Sequence, residues 1–255
     1  MRFREQAICL KTTDYSETSQ IVHFLTRGGG VVRLLAKGAK RPKSKSQGAI
    51  DLLAEGDLVG MTGGGEALGT LVEFAETTPH PALRKSARRL NTALYMLELT
   101  GLMLAEGDPH PKVFDLLHKT LARLEQPDAP TAAVLAYFQW RLLKLAGLLG
   151  DLTKCIGCGE TLITPPGAAA IKPARAIHFS SRQGGLLCAA CEGHAVEKIR
   201  LDLPTLAGLA ALLAVSAGKK IPLPEDAAGA ANRLLAYHVS HQLARPLKMA
   251  RHAIT

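Results

Sequence analysis

The sequence QIVHFLTRGGGVVRLLA at residues 20–36 decides the N-terminal fold, because two apolar, β-type runs flank three glycines at 28–30. Such runs around a glycine turn are typical of a β-hairpin. Further candidate strands lie at residues 6–11, 50–61 and 68–76. Five strands in about 75 residues, with no long helix, predict a small closed barrel of the OB type, since closure removes sheet edges. A generic five-stranded sheet is the alternative.

Charge is unevenly distributed along the 255 residues. Residues 1–50 hold ten basic and three acidic side chains, a net +7, whereas residues 51–255 hold 21 basic and 19 acidic ones, a net +2. A basic N-terminal region on a nearly neutral body indicates a polyanionic partner, with nucleic acid favoured over an anionic membrane surface. Because 47% of the residues are hydrophobic, wholesale disorder is excluded.

The densest basic segment directly follows the predicted hairpin. Six cations lie within thirteen residues, with no acidic residue between them, and they are Arg33, Lys37, Lys40, Arg41, Lys43 and Lys45. Interspersed glycine, proline and serine predict a loop that can wrap phosphates without reading base sequence. A solvated basic loop without a partner is the alternative. Base stacking is weakly signalled, since the first 80 residues hold four candidate aromatic side chains: Phe3, Tyr15, Phe24 and Phe74.

Helical periodicity begins after Pro79-His80-Pro81, where leucines from Leu83 to Leu104 recur at helical spacing. The sequence therefore predicts an α+β fold, with an N-terminal OB-type β-barrel at residues 1–80 and an α-helical domain at residues 81–255. An insertion at about residues 152–198 interrupts the helical domain.

The most apolar run, residues 206–217, is shorter than the roughly 20 residues that a bilayer crossing needs. Since Met1 leads into a charged segment, we expect a cytoplasmic protein without a membrane partner.

Four of the five cysteines form two Cys-x-x-Cys pairs, which comprise Cys155 with Cys158 and Cys188 with Cys191. Each pair can place two thiolates on one side of a tight turn, so together they predict a closed tetrahedral Zn²⁺ site, one per chain. Gly159, directly after the second cysteine, is suited to a tight turn in which the backbone must come close to a sulfur atom. A redox-active dithiol pair is the alternative. Cys9 is predicted to be a core residue, and His178 and His194 are predicted to lie at the surface rather than to bind metal.

Catalytic constellations are not apparent in the sequence. A closed Cys₄ site leaves no position for a reactive water, and a nucleobase deaminase needs His-x-Glu followed by Pro-Cys-x-x-Cys, which the chain lacks. The glycines at 63–65 are not followed by the Gly-Lys-Ser/Thr of a phosphate-binding loop, so ATP hydrolysis is not expected. These patterns favour a binding protein over an enzyme of nucleic-acid modification.

Two segments resemble a known family. The first is YSETSQIV at residues 15–22, with Leu25-Thr26 and AKGAKRPKS at residues 36–44. The second is the glycine-rich approach to the second cysteine pair, residues 179–191, preceded by the first pair. These motifs, in this order, are similar to those of the bacterial DNA-repair protein family RecO, over essentially the whole chain. Lys40 stands where family members often carry arginine, which keeps the charge.

The resemblance implies an OB-fold domain that binds single- and double-stranded DNA, a helical domain and a Cys₄ zinc module. It also implies a nucleoid-associated recombination mediator that works with RecR and single-stranded DNA-binding protein. Such a mediator anneals complementary strands and helps RecA load onto covered DNA, and its helical domain captures the acidic C-terminal tail of the single-stranded DNA-binding protein. The alternative reading of the residues is a zinc-containing RNA-binding or ribosome-associated factor, because an OB barrel with a basic loop does not distinguish DNA from RNA.

Overall fold

A computed structural model describes residues 1–41, 48–63, 68–164, 176–216 and 222–254. The chain forms two compact units, Met1–Ala129 and Pro130–Thr255. The first unit contains five strands and three helices, and the second contains a small sheet and four helices among the described residues. The fold is α+β, as the sequence predicts.

The first unit begins with a closed barrel of five strands in the order β1-β2-β3-β5-β4. Their bounds are β1 Arg2–Asp14, β2 Gln20–Thr26, β3 Gly30–Ala36, β4 Glu55–Met61 and β5 Gly69–Thr78. Neighbouring strands are antiparallel except β3 and β5, which pair in parallel through Leu34 with Gly69 and Leu35 with Thr70. This order and this parallel closure confirm the predicted OB-type barrel.

The long first strand closes the barrel. Its first half pairs with β4, from Arg2 opposite Met61 to Ile8 opposite Glu55, and its second half pairs with β2. The pairing with β2 shifts register between Cys9 and Lys11, which is a bulge that lets one strand serve two neighbours.

Alternate residues of the strands fill the barrel. Phe24 and Phe74 pack with ring centroids 5.1 Å apart, and Leu58 and Cys9 are fully buried beside them. Cys9 is a core residue, as predicted, and burial raises the pKa of its thiol far above the ordinary range. Apolar burial of this kind is the main stabilising contribution to such a small barrel.

Three helices follow the barrel within the first unit: α1 Pro81–Arg84, α2 Ala87–Met103 and α3 Pro111–Glu125. The leucine pattern that begins at Leu83 is interrupted because the Ser86 hydroxyl caps α2, accepting a hydrogen bond from the Arg89 amide. These helices contact the barrel strands, α2 against β1 and α3 against β2. The compact unit therefore extends to Ala129, while a domain boundary near residue 80 stays a prediction about independent folding.

The second unit combines helices with a three-stranded sheet. Its elements are α4 Thr131–Leu145, β6 Ile177–Ser180, β7 Gly185–Cys188, β8 Ile199–Arg200, α5 Leu203–Ser216, α6 Glu225–Gln242 and α7 Ala250–Ala253. Helix α6 packs against both α4 and α5. Between α4 and α6, the buried Gln139 donates to Asn232 at 2.8 Å, which satisfies a polar pair inside the apolar layer. Among the described residues, no helix is both long enough and apolar enough to cross a membrane.

Candidate metal centre and nucleic-acid interface

The described residues of the predicted insertion, together with β8, form one structural element, residues 152–164 and 176–200, which is here called the cysteine module. A turn at residues 155–158 lies against the β6–β7 hairpin, where the amide of Ile156 donates to the carbonyl of Leu186 at 2.9 Å. The low-complexity stretch PPGAAA at residues 165–170, whose composition predicts a loop, lies outside the described residues. Four sulfur atoms lie within 4.8 Å of one another, and they belong to Cys155, Cys158, Cys188 and Cys191.

This arrangement fits a tetrahedral metal ion. Four sulfurs about 2.3 Å from a zinc ion would be separated by about 3.8 Å along each edge of the tetrahedron. The sulfurs of Cys158 and Cys188 are 3.8 Å apart. Since all four ligands come from the protein, the site is closed and has no position left for a reacting water.

The electrostatics of the cluster call for a cation. Burial opposes the Cys155 thiolate, yet hydrogen bonds from backbone amides, Cys188 first among them, lower its pKa to about 6. Hydrogen bonding with Cys188 and Cys158 raises the pKa of the Cys191 thiol to about 12. The backbone amides and the Cys158 side chain therefore favour one thiolate, at Cys155, whereas four thiolates together need a positive ion between them.

Two glycines shape the first cysteine turn in different ways. Gly159 has a φ of 76°, a left-handed conformation that glycine adopts at little cost, and its amide donates to the Cys155 carbonyl at 2.9 Å. Gly157 provides the close approach, because a Cβ there would lie 3.0 Å from the sulfur of Cys191. The sequence assigns the close approach to sulfur to Gly159, but in the structure Gly157 is the glycine that lies against a sulfur atom. Gly159 instead provides the left-handed conformation that the turn requires.

A carboxylate fastens the cysteine module to helix α6. One oxygen of Glu197 accepts hydrogen bonds from the amides of Ser181 and Arg182 at 2.8 and 3.2 Å, and the other accepts from the Tyr237 hydroxyl at 2.7 Å. The Gln242 amide donates to the Ser181 carbonyl at 2.7 Å. The hairpin is therefore positioned from the helix as well as by the cysteines.

The histidines near the cysteines differ from each other. His194 is exposed, as predicted. His178 is not a surface residue, because strand β6 carries it into the interior, where it is 8% exposed and its Nε2 lies 3.5 Å from a Glu192 carboxylate oxygen. It is absent from the four-sulfur cluster.

The basic segment begins on β3 and continues into a turn at residues 37–41, here called the cationic turn. Lys37 and Arg41 are exposed, and Lys40 is partly buried. The predicted DNA-binding residues Lys43 and Lys45 lie outside the described residues. The structure therefore places four of the six predicted cations, on β3 and in the cationic turn.

The cationic turn is held against the loop between β1 and β2, residues 15–19. The Gly38 amide donates to the Ser19 hydroxyl at 3.1 Å, and the Lys40 amide donates to the Thr18 carbonyl at 3.1 Å. The Lys40 ammonium lies 2.7 Å from Asp14. Because these three contacts already hold the backbone of the turn and the Lys40 side chain, binding does not have to order them, which lowers its entropic cost.

The four described cations fall into two pairs. Lys40 faces Asp14, and Arg33 lies 3.8 Å from a Glu106 carboxylate oxygen, so both have an acidic partner. Lys37 and Arg41 make no ion pair with any residue that the structure describes. These two side chains are accordingly the best placed to meet a phosphate.

A second group of cations lies on α1 and α2 of the same unit. Arg84 donates to the Leu52 carbonyl at 3.2 Å, and Arg89 donates to the Pro127 carbonyl at 2.5 Å. Because these guanidinium groups already bind backbone oxygens, they are less available to an anion than the cationic turn.

The first unit also contains a buried acid–histidine cluster that the sequence pattern does not predict. Glu55, at the start of β4, is 8% exposed and lies 3.3 Å from Nε2 of His80 and 2.5 Å from Nδ1 of His118. His80 is itself 2% exposed. The three residues are far apart in the sequence, so only the tertiary fold brings them together.

Comparisons with known proteins cover nearly the whole chain. The family model described as Recombination protein O N terminal matches residues 1–78, and the one described as Recombination protein O C terminal matches residues 84–251.

Curated relatives agree with these matches. A DNA repair protein RecO from Myxococcus xanthus is 30% identical over 252 residues, which cover 97% of this chain and 95% of the relative. A protein of the same name from Anaeromyxobacter dehalogenans is 30% identical over 256 residues, covering 98% and 95%. One from Alkaliphilus metalliredigens is 28% identical over 206 residues, covering 81% and 78%. The chain belongs to the RecO family of DNA repair proteins.

Proposed function

We propose that this protein is a non-enzymatic, DNA-binding recombination mediator, which anneals complementary strands and helps RecA load onto DNA covered by single-stranded DNA-binding protein. Family membership supports the role in DNA repair. The observation that carries the proposal is the cationic turn, fixed on a closed OB-type barrel with Lys37 and Arg41 exposed. The curated names favour DNA repair over the RNA-binding alternative.

The cations are suited to phosphate rather than to base edges. Lys37 and Arg41 are presented without acidic partners among the described residues, so a phosphate does not have to displace a carboxylate. Lys40 is already paired with Asp14, and its contribution to binding is smaller for that reason. Binding by such charges releases counterions, depends strongly on salt and is insensitive to sequence.

The metal of the cysteine module is, in this proposal, a structural Zn²⁺ ion, one per chain, bound by the four clustered cysteines. Four thiolates from the protein suit zinc, and the closed site supports a structural role. When bound, the ion supplies a cross-link between the 155–158 turn and the β6–β7 hairpin. The chain's own Glu197 positions the same hairpin against α6.

The partners proposed are RecR and the C-terminal tail of single-stranded DNA-binding protein, with action at the nucleoid in the cytoplasm. An acidic, apolar tail needs an apolar groove bordered by cations. Cations of the described helical regions differ in availability, since Arg123 is held by Asp128 at 3.0 Å whereas Arg245 is exposed.

Fluorescence anisotropy of a labelled tail peptide with the full chain should show micromolar binding that weakens with salt. Absence of binding at high protein concentration would remove this partner.

An annealing assay tests the proposed function. Complementary DNA strands coated with single-stranded DNA-binding protein should anneal faster with the wild-type protein, without ATP. The variant Lys37→Gln/Arg41→Gln should lose most of this acceleration. The matched control Lys112→Gln/Lys119→Gln removes two exposed charges from α3 and should keep it. A requirement for ATP, or equal loss in both variants, would contradict the proposal.

A further inference from the structure

The barrel carries four aromatic side chains of the Phe, Tyr and Trp types, and three of them have structural roles. Phe24 and Phe74 lie in the barrel core, 3% exposed or less, and Phe3 packs against this core while partly buried. Tyr15 differs, because 62% of it is exposed. An exposed aromatic ring contributes little to the fold, so the ring of Tyr15 is available to contact another molecule.

Tyr15 lies on the same rigid support as the cationic turn. It follows β1 directly and opens the loop of residues 15–19, where its amide donates to the Ser19 carbonyl at 3.0 Å and the Ser16 amide donates to the same oxygen at 3.2 Å. Ser19 and Thr18 of this loop are the residues that hold Gly38 and Lys40. The exposed ring and the exposed cations are therefore carried by two loops that are bonded to each other.

The hydroxyl group of Tyr15 does not give the side chain a structural role either. No hydrogen bond from this hydroxyl to any described residue is present. The side chain exposes a flat apolar face to solvent, on a loop whose backbone is hydrogen-bonded to the cationic turn. Base–aromatic stacking next to phosphate-binding cations is the pairing by which proteins hold single-stranded nucleic acid.

We propose that Tyr15 stacks on an unpaired nucleobase of the strand whose phosphates the cationic turn binds, and that it thereby favours single-stranded over double-stranded DNA. The inference rests on the proposed function, which it deepens. In a duplex the faces of each base are covered by its neighbours, so the ring has no free face to contact. Stacking is tolerant of sequence because every base has a π face, which agrees with the lack of base-specific groups in the turn.

The test compares two strands that carry the same phosphates. The full-length protein is titrated with a fluorescein-labelled thymidine oligonucleotide and with an abasic oligonucleotide of equal length. Tyr15→Ala should weaken binding of the thymidine strand by about 5- to 160-fold, the range that follows from measured stacking contributions, and leave the abasic strand unchanged. Tyr15→Phe keeps the ring and should bind both strands as the wild type does. Duplex affinity should be unchanged in both variants.

Three results would overturn the inference: equal weakening of both strands by Tyr15→Ala, no effect of Tyr15→Ala on the thymidine strand, or a loss in Tyr15→Phe as large as in Tyr15→Ala. Because the side chain is exposed, thermal melting should show all three proteins equally folded. Failure of the proposed function is distinguishable, since it would appear as unchanged affinity of Lys37→Gln/Arg41→Gln for the abasic strand.

Discussion

The barrel and the cysteine module are both small β-structures, yet they are held together differently. The barrel strands are 7 to 13 residues long and enclose a core that includes Phe24, Phe74 and Leu58. The module has strands of 4, 4 and 2 residues, and two of the three buried residues in its cysteine-containing core cluster are cysteines. We expect apolar burial to stabilise the first, whereas the second, with its shorter strands, should also need a metal ion bound by the four cysteines.

We expect the barrel to carry the binding surface of the protein and the cysteine module to have a structural role. The barrel carries the exposed cations and the exposed tyrosine on fixed loops, and the module carries a closed ligand set without an open position. Changes to the module should therefore affect metal content and local order, while changes to the barrel loops should affect nucleic-acid binding.

The largest expected effect is loss of the metal. Cys158→Ser should abolish stoichiometric zinc binding, about one ion per chain in the wild type by the four-ligand rule, and should greatly increase hydrogen exchange in residues 152–164 and 176–200. Elemental analysis and hydrogen-exchange mass spectrometry measure the two effects. Cys9→Ala is the matched control, since it removes a barrel thiol and should leave zinc content unchanged. Wild-type protein that is metal-free and fully protected in the module would contradict the structural role.

The second prediction concerns the barrel core. Phe24→Ala should lower the free energy of unfolding of the first unit by about 3–5 kcal/mol, because it leaves a cavity beside Phe74. Denaturant unfolding, monitored by hydrogen-exchange mass spectrometry, measures the change in stability and shows whether it is confined to the first unit. Zinc content should stay at the wild-type level. Loss of zinc in this variant would show that the two structures are not independent.

A smaller effect is expected at the buried acid of the first unit. Burial raises the pKa of Glu55, but hydrogen bonds and charge from His80 and His118 outweigh it, so the pKa lies below its ordinary value of 4.5. A carboxyl group with a depressed folded-state pKa stabilises the fold above pH 4.5, and this stabilisation is lost as the pH falls through the folded-state value. Glu55→Gln should cost about 1–3 kcal/mol at neutral pH and flatten the acid side of the stability profile.

An exposed carboxylate provides the comparison for Glu55. Asp128 pairs with Arg123 at the surface, and Asp128→Asn should leave the free energy of unfolding nearly unchanged. Chemical denaturation between pH 3 and pH 7 compares both variants with the wild type. An unchanged acid profile in Glu55→Gln would show that the cluster does not contribute to stability.

The strands, the glycine turn and the cysteine pairs could be predicted because they rest on local pattern. Alternating apolar residues set the barrel strands, and the spacing of Cys155 and Cys158 is a property of one turn. The bulge at Cys9 to Lys11 could not be predicted, since it depends on β1 meeting two partners at once. The Glu55 cluster was missed for the same reason, because its histidines come from a connection and a helix.

The candidate interface shows the same limit. The sequence predicts six cations as one group, whereas the structure gives Arg33 and Lys40 acidic partners that lie outside the segment. It also separates Tyr15 from the other aromatic side chains by burial, which composition does not reveal. Charge density alone therefore overstates the number of side chains that are available to phosphate.

The salt dependence of single-stranded DNA binding tests the central claim, that the barrel binds DNA and the cysteine module is structural. The full chain, Lys37→Gln/Arg41→Gln and Cys158→Ser are titrated with the same oligonucleotide at several salt concentrations. The double variant should bind more weakly, with a salt slope reduced by about 1.4 for two lost phosphate contacts, and Cys158→Ser should keep the wild-type slope. An unchanged slope in the double variant, together with a reduced slope in Cys158→Ser, would contradict the account.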